Sequence, residues 1–217
     1  MATRVIDDTK LQNIAVAIQG KDSGGTMTVD EMPTRIALIP TQDMTLIDSL
    51  VNRRITAFSS EVSSVEEYAF YGCSLLTSIV LPCAAALKNS CIRNCTRLNE
   101  IEIPKVESIL NNCFYGDRAL VRLFLQSVTS LTGGAIFTGC QALNTVIMGK
   151  RAALGDVGAF TSNNATIYVQ PDDLSWYSTA TNWSTLYANN RIKSVSELTG
   201  DNLTWYQQQL AKYPEEE

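Results

Sequence analysis

The sequence predicts an α+β repeat fold: a short solenoid of about five coils, each of 22–23 residues and each with one short parallel strand. Three observations point to it. First, a large apolar residue recurs at Phe70, Ile92, Phe114, Phe137 and Phe160, at intervals of 22, 22, 23 and 23 residues. Second, fixed offsets from that residue are apolar too. Leu76, Leu98, Leu120 and Leu143 stand six residues on, and Ile79, Ile101, Leu123, Val146 and Val169 stand nine on. Leu81, Ile103, Leu125 and Met148 stand eleven on, where Pro171 breaks the series. Third, the 217 residues are 45% hydrophobic and 18% charged, enough apolar side chain for one continuous core with a small appendage.

Each element of the coil has its own reason. Apolar residues at offsets nine and eleven alternate with outward ones, which is the period of a half-buried strand. Val65, Leu87, Ile109, Leu131 and Leu154 precede the aromatic position, one residue earlier in the two longer coils, so the extra residue falls within one short connection. A period of 22 residues is too short for two helices and a turn. One coil cannot bury its inner face alone, so neighbours must stack on it. Five strands at a spacing of ~4.8 Å give a body on the order of 25 Å long.

The stretches "SSVEEYAFYGCSLLTSIVLP", "CIRNCTRLNEIEIP" and "AIFTGCQALNTVIM" resemble BspA-type leucine-rich repeats, whose motif runs roughly I-x-x-x-A-F-x-x-C-x-x-L-x-x-I-x-L-P. Residues 165–198 are similar to the terminal cap of such arrays. The resemblance covers about two-thirds of the chain and implies a short leucine-rich-repeat solenoid. Ile92 departs from the motif at the aromatic, Asp117 and Asn163 at the cysteine, and the proline is missing after Leu125 and Met148.

The ends do not repeat. In "DDTKLQNIAVAIQGK", Leu11, Ile14 and Ile18 share one face of a predicted helix capped by Asp7 or Asp8. "KDSGG" ends that helix, and "TVDE" (28–31) has the spacing of a capping box. The segment "TMTVDEMPTRI" resembles a short N-terminal module of phage and prophage structural proteins. The expected organisation is a helical docking module over 1–40, an entry cap over 41–62, the solenoid over 63–170, a C-terminal cap over 171–198 and an amphipathic, acidic tail over 199–217. In the tail, Leu203, Tyr206 and Leu210 lie at helical spacing, predicting a docked or frayed helix.

Composition excludes several functions. There is no histidine, which removes the commonest general base, metal ligand and hydrolase triad. A net charge of −5 argues against nucleic acid as a partner. No apolar run approaches the ~20 residues of a membrane span, and the N-terminus lacks a signal-peptide pattern, so neither membrane insertion nor ordinary secretion is expected. Cys73, Cys95 and Cys140 share one repeat position and Cys91 and Cys113 another. They are expected to be buried thiols, ahead of disulfides and of metal ligands, and no cofactor is expected. Glu100 and Glu102 face outward on one strand, but nothing separates their acidities as a glycosidase pair requires.

Offsets eight and ten form two outward lanes, the candidate partner-binding face. One runs through Ser78, Glu100, Arg122, Thr145 and Tyr168, the other through Val80, Glu102, Phe124, Ile147 and Gln170. Glu100 beside Arg122 would favour strand pairing. Phe124 and Ile147 are apolar neighbours on this face. Either a cap, the N-terminal module or a sister subunit covers them, or they form a partner patch. As the resemblances imply, the chain would be a non-enzymatic phage virion protein of tail or head fibre or decoration type. It would dock by its N-terminus onto other virion proteins and present the solenoid to a host cell-surface protein or glycan. A homo-oligomer, a trimer by analogy, is expected. A bacterial cell-surface adhesin binding host proteins is the alternative, and a carbohydrate-cleaving tailspike is a weaker one.

Overall fold

The computed structural model describes residues 55–214. The docking helix predicted from Leu11, Ile14 and Ile18 lies outside these residues, as does most of the entry cap.

Two parallel layers of strand wrap one core, and numbering in chain order alternates between them. The first layer holds β1 (Ala57–Ser59), β3 (Ser78–Val80) and β5 (Glu100–Glu102) in one ladder. It continues with β7 (Arg122–Leu125), β9 (Thr145–Met148), β11 (Thr166–Val169) and β12 (Ile192–Ser194) in a second. Two-residue strands make the second layer: β2 (Ser64–Val65), β4 (Ala86–Leu87), β6 (Ser108–Ile109), β8 (Ser130–Leu131) and β10 (Ala153–Leu154). Register follows the sequence repeat through β9, where Ile79 pairs with Ile101 and Leu123 with Val146, but slips by two residues at β11: Val146 pairs with Ile167 rather than Val169, and Tyr168 stands opposite Ile147 instead of Thr145. The entry strand β1 joins the ladder in register, Phe58 opposite Ile79. The structure therefore adds a second, shorter strand to each coil and a further rung, β12, at the C-terminal end of the first layer, while β1 falls where the stretch "ITAF" (55–58) reads as an entry strand.

The inward positions are buried as their offsets require. Leu76, Ile79, Leu81, Leu98, Leu123 and Leu125 are fully buried, each contributing on the order of 1.5–3 kcal/mol of transfer free energy. The aromatic column stacks from coil to coil, with ring centroids 5.5 Å apart for Phe114 and Phe137 and 5.0 Å for Phe137 and Phe160. Ile92 takes the aromatic's place without a gap, fully buried.

Corners recur at fixed offsets as well. Two residues after the aromatic, Gly72, Asn94, Gly116, Gly139 and Ser162 all have positive φ. Two residues before it, so do Tyr68, Ser90, Asn112 and Ala135. Left-handed backbone suits glycine and asparagine, which explains their frequency in that column. At Gly116 a Cβ would also run into the Asn94 side-chain oxygen, which would have to swing aside.

The cap closes the open end of the core. Helices α1 (Leu174–Tyr177) and α2 (Trp183–Ala188) plug it with two aromatics that extend the Phe column, Trp183 lying 6.0 Å from Phe160 and 5.0 Å from Tyr177. Burial of their polar ends is compensated. Trp183 Nε1 donates to the Ala152 carbonyl at 2.6 Å, and Tyr177 O–H donates to that of Lys150 at 3.0 Å. Asp173, at the N-cap position of α1, makes no side-chain capping bond and pairs with Arg151 Nε at 2.6 Å. A 3-10 turn over Val195–Glu197, opened by a capping box of Ser194 and Glu197, then redirects the chain into helix α3 (Gly200–Lys212).

Candidate interaction surface

Helix α3 lies back across the first layer of strands, over the lanes that the repeat points outward. Phe124, Ile147, Leu198 and Tyr206 form a small cluster separate from the main core, with Tyr168, Val195, Leu203 and Trp205 packed against it. Phe124 meets Tyr206 edge-on at 5.5 Å, and Arg122 lies 5.2 Å from the Trp205 ring. Polar groups complete the contact: Asn202 Nδ2 donates to Thr145 Oγ1 at 2.9 Å and Gln170 Nε2 to Tyr206 O–H at 3.3 Å. At the helix end, Lys212 Nζ lies 2.6 Å from Glu102 and Tyr213 O–H donates to the same carboxylate. Burial and that carboxylate together push the Tyr213 phenol upward.

This corrects the predicted partner-binding face. Phe124, Thr145 and Ile147 do point away from the coil core, but α3 of the same chain buries them. Glu102, Arg122, Tyr168 and Gln170 are engaged by the helix or lie beneath it. Arg122 turns to Trp205 and to the Asp201 carbonyl rather than pairing with Glu100. Of the ten lane residues, only Ser78, Val80 and Glu100 lie clear of these contacts, with Glu100 exposed and the other two half-buried. The contact face of α3 runs through Leu203 and Tyr206, while Leu210 is exposed, 36% accessible.

A second outward column holds what the lanes lack. One residue after the aromatic position stand Tyr71, Arg93 and Tyr115, on successive coils. The Arg93 guanidinium lies 4.4 Å from the Tyr115 ring centroid and 5.9 Å from that of Tyr71. Tyr68, 40% exposed, meets Tyr71 edge-on at 5.8 Å. Tyrosine and arginine are the residue types that dominate protein interfaces. The column could have been found by reading this offset across the coils, since the repeat had already fixed its register.

A groove of about 700 Å³ opens where α3 ends against the turns of four coils, lined among others by Pro82, Lys105, Gln126, Lys150 and Lys212. Gln126 Nε2 donates to the Tyr213 carbonyl at 2.9 Å across it.

The cysteines build the interior. Cys73, Cys91, Cys95, Cys113 and Cys140 are buried free thiols, and Cys83 is an exposed one whose Sγ lies 2.8 Å from Glu61. The Cys91 and Cys113 sulfurs touch at 3.3 Å without a bond. Burial pushes the Cys95, Cys113 and Cys140 thiols far up, the reverse of what a nucleophile or metal ligand needs. Among the described residues no three His, Cys, Asp or Glu side chains gather as a metal site, and no helix is long and apolar enough to cross a membrane.

Parallel short strands, a repeating hydrophobic coil, an aromatic column and a helical cap define a short leucine-rich-repeat solenoid. The chain belongs to the BspA-type leucine-rich-repeat family, whose repeat region matches six times over residues 50–172. No curated protein matches it. Among solved structures it is similar to a leucine rich cell surface protein of Faecalibacterium prausnitzii A2-165, with 21% identity and a TM-score of 0.50 over 58% of this chain and 35% of that one. It is also similar to the pneumococcal vaccine antigen PcpA, with 16% identity and a TM-score of 0.41 over 64% and 40%. A T. pallidum leucine rich repeat protein follows, with 22% identity and a TM-score of 0.35 over 52% and 68%. At these identities the likeness is one of fold, and the chain spans well under half the length of the first two.

Proposed function

We propose that the chain is a non-enzymatic attachment protein of a phage particle. It would dock by its N-terminal residues and use the solenoid as a rigid frame for contact with a host surface. The observation that carries the binding role is the Tyr68–Tyr71–Arg93–Tyr115 column. It sets out aromatic and cationic side chains on a frame whose inward residues are wholly taken up by packing. The absence of histidine and the burial of five of the six thiols support a role without covalent chemistry. The virion placement rests on "TMTVDEMPTRI" and its resemblance to phage N-terminal modules. Several copies on one particle, as trimers, would raise avidity without tight single contacts. A polysaccharide-cleaving role fits poorly, because Glu102 is held by Lys212 and Tyr213.

A second reading, a bacterial cell-surface adhesin, is supported by membership of the BspA-type family and by the cell-surface description of the Faecalibacterium protein. Mass spectrometry of purified particles and of cell envelopes from the same culture separates the two. Enrichment in particles is expected, and enrichment in envelopes alone contradicts the virion reading. For the binding role, the triple variant Tyr71→Ala, Arg93→Ala, Tyr115→Ala should lose at least about tenfold in attachment to host cells. Unchanged attachment by a folded triple variant would contradict it.

A further inference from the structure

A buried hydrogen-bond ladder runs through the repeat position three residues after the aromatic. Cys95 Sγ–H donates to the Phe70 carbonyl at 3.0 Å, and Cys140 Sγ–H to the Phe114 carbonyl at 2.9 Å. Where a coil carries Asn163 instead, its Nδ2 donates to the Phe137 carbonyl at 3.0 Å. Each rung is thus a donor from one coil onto the coil before it. Cys73 opens the series in the first coil, and the remaining member is Asp117, for which the acceptor at the equivalent place is the carbonyl of Ile92. An ionised carboxylate has nothing to donate.

The surroundings of Asp117 are those of a neutral acid. Its residue surface is fully buried, Oδ1 accepts the Cys95 backbone N–H at 2.7 Å, and Oδ2 makes no hydrogen bond among the described residues. The titratable groups around it are the thiols of Cys91, Cys95, Cys113 and Cys140, none of them a cation, and no ion pair reaches it among the described residues. A buried, unpaired carboxylate is far costlier than a buried acid that can donate.

We propose that Asp117 is held as a neutral carboxylic acid whose Oδ2–H supplies the rung that a thiol or amide supplies elsewhere, so that this junction between coils is tightened by a proton and loosened by its loss. Burial, opposed in part by the Cys95 N–H, raises the pKa well above the ordinary 3.8, in the direction this requires. The sign follows from that direction. A folded value above the unfolded one gives a contribution that is complete below the unfolded value and declines as pH climbs towards the folded value. Because coils couple to their neighbours, the loosening would be centred on residues 92–117 and leave the ends of the array tighter.

The test compares the full chain with Asp117→Asn, which keeps an acceptor and a donor, as Asn163 does, and has no proton to lose. The two should melt together near pH 4, and the variant should gain roughly 3–5 °C per pH unit above that until the folded value is passed. A gap that stays constant across pH overturns the proposal, as does a variant that is the less stable of the two at neutral pH. Infrared spectroscopy of the unmodified chain tests it without any substitution. At about pH 6, where exposed carboxyls are ionised, one protonated carboxyl stretch should persist, and its absence would overturn the assignment.

Discussion

The two halves of the first strand layer share one backbone register and differ in what they show. Around β1, β3 and β5 the outward residues are mostly small or charged, and among the described residues Ser78, Val80 and Glu100 lie outside the contacts made by α3. Around β7, β9 and β11 they include Phe124, Ile147 and Tyr168, and α3 covers them. The repeat therefore fixes direction but not exposure. The adjacent apolar pair Phe124 and Ile147 marks the place where the chain itself returns to cover the sheet, and the polar neighbours Glu102, Thr145 and Gln170 are drawn into the same contact.

The largest effect expected from this contrast comes from placing charge under the helix. Phe124→Asp with Ile147→Asp should remove most of the docking energy of α3, lowering stability by about 3–5 kcal/mol. Ser78→Lys with Val80→Lys, two equivalent outward positions that stand opposite Glu100 and Glu102 in the ladder, should change it by less than about 1 kcal/mol. Denaturant melts of both variants decide the matter, and similar losses in the two would erase the distinction between the halves.

A smaller effect tests whether the helix is held along its length or chiefly by its apolar centre. Lys212→Ala with Tyr213→Phe releases Glu102, whose partner Lys212 is half exposed. The cost should be roughly 0.5–1 kcal/mol and should shrink in high salt. Exchange should quicken near residue 209 and stay unchanged near Tyr206.

The smallest effect lies in the open half and has a sign opposite to that of Asp117. The ammonium of Lys88, 2.8 Å from Glu66, holds that carboxyl below its usual range. Its contribution is present above the ordinary value and is lost as pH falls through the folded one. Glu66→Gln should therefore narrow the difference in melting temperature between neutral and acid conditions slightly, and a widened difference would contradict the pairing.

Much of this fold is legible in the sequence because a solenoid writes its register directly. Once Phe70, Ile92, Phe114, Phe137 and Phe160 are aligned, the inward residues of β3, β5, β7 and β9 follow from their offsets, and so does the outward direction of Phe124 and Ile147, whereas the two-residue slip at β11 does not. The two-residue strands are less legible, because a pair such as Ala86–Leu87 is too short to show alternation. The cover is less legible again. Helix α3 meets Glu102 and Thr145 across separations of 110 and 57 residues, and half of that contact is polar, so no local pattern names its target. Asp117 reads in sequence as a lapse from the cysteine column. Only its burial and its orphaned oxygen show that the position still requires a donor.

Hydrogen exchange of the unmodified chain, followed by mass spectrometry, tests the division of the molecule most directly. Because α3 rests on a small cluster outside the main core, its amides over 200–212 should exchange as one unit ahead of strands β3, β7 and β9. Undocking should leave those strands protected. Exchange of α3 at the same rate as the strands, in a single global event, would contradict the account of α3 as a separable cover on an independently packed solenoid.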